Sequence, residues 1–204
     1  MIKADIKKQL KDGQLLHINK AFVTGSITRV TGPSGAGKTT FLKMLAGLIK
    51  PDEGLISVDS NEWFNSAGSI NLTPQLRKAG FVFQDYALFP NMTVMQHLKY
   101  ACGDNDWIDD LLKIGGLDSF TDKKPLHLSG GQQQRLAILR ALAIKPNVLL
   151  MDEPFSAIDV KTKMKLLADL QTLLRDMNTT VIAVTHNPQE LDGIATDELI
   201  IGED

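Results

Sequence analysis

Gly32-Pro33-Ser34-Gly35-Ala36-Gly37-Lys38-Thr39 decides how the rest of this chain is read. The run fits G-x-x-x-x-G-K-[ST], and it lies between a stretch of strand character (residues 26–31) and one of helical character (residues 41–48). Glycines let successive backbone N–H groups curve around a phosphate without Cβ clashes, and the following helix contributes the positive end of its dipole. Lys38 is placed to neutralise β- and γ-oxygens, and the Thr39 hydroxyl to ligate Mg²⁺. Gly32, Pro33, Ser34, Gly35, Ala36, Gly37, Lys38, Thr39 and Thr40 are therefore candidate phosphate-cradling residues. A glycine-rich turn ahead of a helix is the plainer alternative, and the strand–loop–helix context argues against it.

The next informative run is Asn147-Val148-Leu149-Leu150-Met151-Asp152-Glu153, an apolar strand ending in two carboxylates. In open α/β sheets ligands lie beyond the carboxyl ends of the strands, so both acids are expected to face the phosphate loop. Asp152 would hold Mg²⁺ and Glu153 would polarise an attacking water. Taken alone, the pair reads equally well as a helix N-cap.

Periodicity supplies the rest. Residues 2–10 and 14–18 read as strands joined by an Asp12-Gly13 turn, followed by strands at 26–31, 55–59 and 79–83. Gly47 and Pro51 mark the end of the 41–48 helix. Between about 92 and 145 the period is helical, most clearly at 97–98, 107–114 and 135–143. Residues 148–151 and 180–184 have the length and composition of buried parallel strands. A helix over 160–176 separates them, and a strand at 198–201 follows. Strand and helix alternate at both ends with helices in the middle, which predicts an α/β fold whose parallel-sheet core carries an inserted helical lobe.

The 204 residues suffice for one sizeable domain, and 43% hydrophobic with 23% charged residues is ordinary for a globular chain. A net charge of −2 predicts no polyanion-binding face, so no nucleic-acid partner is expected; basic pairs such as Lys7-Lys8 and Lys123-Lys124 read as solvated surface. Cys102 is the sole cysteine, which excludes an internal disulfide and suits a reducing compartment. The first ten residues lack a signal-peptide core, and no apolar run approaches the roughly 18 residues of a spanning helix. A soluble, cytoplasmic chain that reaches a membrane only through a partner is expected.

Leu128-Ser129-Gly130-Gly131-Gln132-Gln133-Gln134-Arg135 resembles the signature motif of ABC ATPases. Ser129 and Gln132 have capping-box spacing ahead of a helix, so a capped helix is the plain reading. The glycine pair also leaves amides and the Ser129 hydroxyl able to grip a γ-phosphate. Further motifs follow in family order. Gln84, in Phe81-Val82-Phe83-Gln84-Asp85, resembles the Q-loop glutamine that contacts Mg²⁺ and the attacking water. Ser156-Ala157-Ile158-Asp159 resembles the D-loop, with Ile158 where leucine is more usual. His186, in Val184-Thr185-His186-Asn187, resembles the switch histidine that contacts the γ-phosphate. The likeness covers essentially the whole chain.

What the resemblance implies is specific. The fold would be a RecA-like phosphate-loop core (1–85 and 138–204) with an N-terminal antiparallel β portion and a helical subdomain over 86–137. Two copies would pack head to tail around ATP, with Ser129, Gly130, Gly131 and Gln132 of one completing the other's site. Asp159 would lie at that interface beside the nucleotide. Glu153, His186 and Gln84 would be catalytic, and Thr39, Gln84 and Asp152 would ligate Mg²⁺.

One family feature is missing: residues 10–16 contain no aromatic to stack on adenine, which predicts weak base stacking and poor selectivity for ATP over GTP. Leu72-Thr73-Pro74, Arg77, residues 80–90 and Gly25-Ser26-Ile27-Thr28 are similar to segments of molybdate, sulfate and iron importers. An importer of an oxyanion is therefore expected, partnered by integral membrane permease subunits and, indirectly, by a solute-binding protein. Rival readings are a non-transport ABC regulator, for which the stretch between Gln84 and Leu128 is too short to hold a long coiled coil, and a non-catalytic ATP-gated clamp, against which Glu153 and His186 stand. The sequence stops at Asp204, short of the regulatory β-domain that many molybdate- and sugar-type relatives carry, so a minimal member or regulation located elsewhere is expected. Tyr86, Leu88, Phe89 and Met92 would either form a groove for a permease helix or fill the core of the helical lobe.

Overall fold

The computed structural model describes residues 1–202. The chain begins as an antiparallel hairpin, β1 (Ile2–Gln9) and β2 (Leu15–Phe22), in which Ile2, Ala4 and Ile6 alternate inward. β3 (Ile27–Thr31) leads through the glycine loop into α1 (Lys38–Leu45). β4 (Glu53–Val58), β5 (Asn61–Asn65) and β6 (Ile70–Asn71) widen the first hairpin into an antiparallel sheet ordered β2-β1-β4-β5-β6. After a short α2 (Pro74–Arg77) and β7 (Gly80–Val82) come three helices: α3 (Val94–Ala101), α4 (Asn105–Gly115) and α5 (Gly130–Ala143). The chain then runs through β8 (Val148–Asp152), α6 (Val160–Asp176), β9 (Thr180–Val184) and β10 (Asp197–Ile200). The second sheet, ordered β10-β3-β9-β8-β7, is parallel throughout.

Every residue of β8 and β9 is buried, as expected of parallel strands covered on both faces. Alternation sends Val148, Leu150, Ile182 and Val184 to one face, where they meet Phe41 and Leu42 of α1 and the antiparallel sheet. Leu149, Met151, Val181 and Ala183 go to the other, against α3, α4, α5 and Leu166, Leu170 and Leu174 of α6. Each such side chain contributes about 1.5–3 kcal/mol of burial, so the strand ends that carry the candidate site rest on two packed layers. Among the described residues no helix is long and apolar enough to cross a membrane.

Some boundaries differ from expectation for physical reasons. α1 begins at Lys38 rather than at residue 41, because the backbone is already helical where the loop ends although its first turn is polar. β2 runs on to Phe22, and β10 begins one residue earlier than expected. β5 and β6 were not expected: Asn61–Asn65 is mostly polar, but Trp63 and Phe64 point inward, and Asp59 at φ 53° makes the return from β4. α5 is continuous to Ala143, so a boundary at 137 falls within one helix.

Arg77 anchors the far end of α1. It is buried and donates to the carbonyls of Met44, Leu45, Leu72 and Trp63 and to Asn71 Oδ1. Burial without a carboxylate partner brings its pKa down to about 10. A cation on the last carbonyls of a helix is favourable, and here it fixes α1 against the antiparallel sheet.

Candidate functional site

The N-terminus of α1 is open. Its N-cap is Gly37 at φ 95°, with no side-chain cap and no acid in the first turn. The backbone conformation is what requires glycine here: a Cβ at Gly37 would lie 2.9 Å from Leu16 Cδ2, a side-chain end that could shift aside. Lys38 Nζ donates to the carbonyls of Gly32 and Pro33, each at 2.8 Å, which arches the loop over the ammonium; Ala36 packs beneath it in the core. Two of the three N–H donors of Lys38 are thus used within the loop.

Beyond the carboxyl ends of β3, β7, β8 and β9 lies a cleft of about 310 Å³. It is lined by Ser34, Gly35, Gly37, Lys38, Thr39 and Thr40, by Gln84 after β7, by Asp152 and Glu153, and by Val184 and His186 after β9. Four separate strand ends therefore bring together most of the loop residues and all the metal-ligand and catalytic candidates, at the position where parallel sheets bind ligands, while Gly32, Pro33 and Ala36 of the loop do not line the cleft.

Glu153 is the most constrained of them. Its φ of 52° is unusual for a residue other than glycine, and it is 7% exposed. Its N–H donates to the Val184 carbonyl at 3.0 Å, and its Oε2 accepts from the His186 N–H at 3.3 Å. His186 Nε2 lies 3.3 Å from Oε1, yet the alignment makes no hydrogen bond and Oε1 has no other protein partner. Burial pushes the Glu153 carboxyl above the usual carboxylate range, against the opposing pull of the His186 N–H and imidazole. A raised pKa on an enclosed carboxylate with a free acceptor suits a group that takes or directs a proton.

The remaining predicted residues lie elsewhere. Ser129 is the N-cap of α5: its hydroxyl accepts from Gln132 N at 3.3 Å while Gln132 Oε1 accepts from Ser129 N at 2.8 Å. The capping box expected from the sequence is present, and Ser129, Gly130, Gly131 and Gln132 line no part of the cleft. Asp159 caps α6, accepting from Thr162 N at 3.0 Å, and that bond holds its carboxyl below the usual range.

A second recess of about 430 Å³, mostly apolar, adjoins the cleft across Gly35, Gly37 and Thr40. Leu10 and Ile49, with Lys8, Gln9, Lys11 and Asp12, form the rest of its wall, so its apolar surface is aliphatic. Tyr86 and Leu88 pack partly into the helical core, while Phe89 is exposed, stacks on His97 and meets Tyr100 edge to face.

Sequence reasoning passed over two residues. Arg140 of α5 donates to the Tyr86 and Ala87 carbonyls, holding two consecutive residues at positive φ just after Gln84. Gln134 is 1% exposed and bonds the backbone around Glu153. Its signal was its place one turn before Ala137 and Ile138 on the inward face of α5.

The ABC transporter family matches residues 15–156. The chain is 39% identical over 201 residues to the molybdenum import ATP-binding protein ModC of Photobacterium profundum, covering 98% of this chain and 56% of that protein. It is 42% identical over 206 residues to the sulfate/thiosulfate import ATP-binding protein CysA of Mesostigma viride, covering 97% and 57%. It thus spans little more than half the length of these curated relatives. Among solved structures it is similar to the dimeric bacterial ABC transporter cassette MJ0796, with TM-score 0.84, 30% identity, and 98% of this chain and 94% of that one covered. The same values hold for the post-hydrolysis state of that cassette bound to ADP and Pi.

Proposed function

The chain belongs to the ABC transporter family, and from that membership we propose that it binds and hydrolyses ATP to energise import of a small oxyanion such as molybdate or sulfate. The observation that carries this is the convergence of Lys38, Thr39, Gln84, Asp152, Glu153 and His186 in one cleft. The oxyanion assignment rests on the likeness to import ATP-binding proteins.

In this reading the open end of α1, the loop N–H groups and Lys38 hold the phosphates, and the base lies in the aliphatic recess. Thr39, Gln84 and Asp152 offer a hydroxyl, an amide oxygen and a carboxylate, a hard-oxygen set that suits Mg²⁺. Among the described residues no three His, Cys, Asp or Glu cluster to cage a metal. An ion shared with phosphates needs only one or two carboxylates, which Asp152 supplies. Held by Thr39, Gln84 and Asp152, Mg²⁺ would supply positive charge against the charge that develops during phosphoryl transfer. Glu153 orients the attacking water and accepts its proton, His186 donates toward the γ-phosphate, and Gln84 steadies both water and metal. Positioning and charge stabilisation supply most of the rate.

Ser129, Gly130, Gly131 and Gln132 of a second copy, packed head to tail, would close over the γ-phosphate, with Asp159 at the seam. Residues 86–137 would act as the lobe that meets integral membrane permease subunits, holding the chain at the cytoplasmic face. A solute-binding protein would enter only through the permease. Phosphate release from MgATP tests the core of this reading. Wild-type protein should turn over and Glu153→Gln should fall by about 10²–10⁴-fold with nucleotide still bound. Equal rates for the two would rule it out.

A further inference from the structure

We infer that Gln134 is a positioning residue for hydrolysis, holding Glu153 and the Ser156-Ala157 turn in register with the start of α5. The inference rests on the catalytic role proposed for Glu153.

A residue other than glycine stays at φ 52° only where its surroundings over-determine it. At Glu153 the N–H is fixed by the Val184 carbonyl at 3.0 Å, and the carbonyl is fixed by Gln134 Nε2 at 2.7 Å. Ser156 Oγ, 3.2 Å from the same carbonyl, completes a small ring, because Gln134 Nε2 also donates to it at 3.2 Å. The other end of the amide is used as well: Gln134 Oε1 accepts from Ala157 N at 2.8 Å. One buried amide thus commits both its donors and its acceptor to residues 153–157.

The first turn of α5 meets the same segment independently. A Cβ at Gly131 would stand 3.0 Å from the Ala157 carbonyl oxygen and 3.7 Å from Ile158 Cα, so the backbone of α5 lies directly on this turn. Ser129, at the N-cap, is five residues before Gln134 on one rigid helix. A displacement of the α5 end, such as engagement of an anion by Ser129, is therefore passed to the Ala157 turn by the α5 backbone and to the Glu153 carbonyl directly by the Gln134 amide. The side-chain hydrogen bonds of Gln134 go to Glu153, Ser156 and Ala157 and, among the described residues, to none of the glycine loop, so its effect is expected to fall on the chemical step.

The test uses the full chain in phosphate-release and equilibrium ATP-binding assays, comparing wild type with Gln134→Met, which keeps the volume and removes the amide. The expected result is a kcat lower by about 10- to 100-fold, the scale of a misplacement near 1 Å, with ATP affinity within about threefold of wild type. An unchanged kcat overturns the inference. So does a loss of affinity as large as the loss of kcat, since that is general loosening. If Gln134→Met does not fold, Ser156→Ala carries the test: a kcat at least threefold lower at unchanged affinity supports the inference, and an unchanged kcat overturns it. Absence of turnover in wild type would instead overturn the proposed function, which keeps the two failures apart.

Discussion

The helices α1 and α5 each have a glycine at or beside the N-cap, Gly37 and Gly130, and they are finished in opposite ways. α1 begins at Gly37 with no side-chain cap, and its first turn opens onto the cleft beside Lys38. α5 begins at Ser129 with a complete capping box, away from the cleft. An uncapped helix end leaves amide donors free for an anion, whereas a boxed end is satisfied without one. In the proposed reading the first is a phosphate site within a single chain. In the same reading the second would gain a ligand only from another copy, with the cap giving way to the phosphate.

Removing the ammonium at the open end should have the largest effect. Lys38→Ala is expected to lower ATP affinity and hydrolysis together by about 10²–10³-fold, since charge-assisted bonds to phosphate are lost. Calorimetry and phosphate release check this; affinity within threefold of wild type would break the assignment of α1 as the phosphate site. Ser129→Ala should separate the two ends. It removes an N-cap worth about 1 kcal/mol, lowering the melting midpoint by about 2–4 °C, and should cut hydrolysis about tenfold while binding to the single chain is kept. Loss of binding in that variant would mean the two ends act in one chain.

A smaller effect concerns stability. Glu153 is buried with its carboxyl held above the usual range, so its ionised form opposes folding at neutral pH. The sign follows from linkage: this cost is present above the folded pKa and disappears as pH falls and the carboxyl becomes neutral. Nucleotide-free Glu153→Gln should therefore melt higher than wild type at pH 7, by about 2–4 °C for each kcal/mol relieved, and the gap should shrink in acid. Scanning calorimetry at several pH values checks it; a variant that melts lower at pH 7 contradicts it. The smallest expected difference is in base choice. The aliphatic recess of Leu10 and Ile49 offers no ring, and stacking of a base on an aromatic is worth about 1–3 kcal/mol, so ATP and GTP should bind within about threefold of each other. A strong preference for ATP in competition binding would mean the polar wall of that recess reads the base.

The α/β class, the strands β8 and β9, the helix α6, the glycine loop and the Asp152-Glu153 pair were legible because apolar runs and the loop motif encode them locally, whereas Gln84 and His186 were singled out only by the family resemblance. β5 escaped because Asn61–Asn65 is polar by composition and becomes a strand by pairing with β4, a partner that no local pattern announces. The start of α1 escaped because its first turn serves the loop rather than the core. Gln134 was passed over although its spacing to Ala137 and Ile138 puts it on the inward face of α5; what its amide holds there, the turn after β8, is set by tertiary packing alone. Side chains proposed to contact the chemistry were named from sequence, while those that hold the backbone in place needed the fold.

The head-to-tail closure that the capped end of α5 calls for is tested most directly by size-exclusion chromatography with light scattering on Glu153→Gln, with and without MgATP. Blocked hydrolysis should trap the closed form, so a shift from monomer to dimer on adding MgATP is expected, abolished in the double variant with Ser129→Ala. A protein that stays monomeric at nucleotide concentrations shown to saturate it would contradict closure between two copies of this chain.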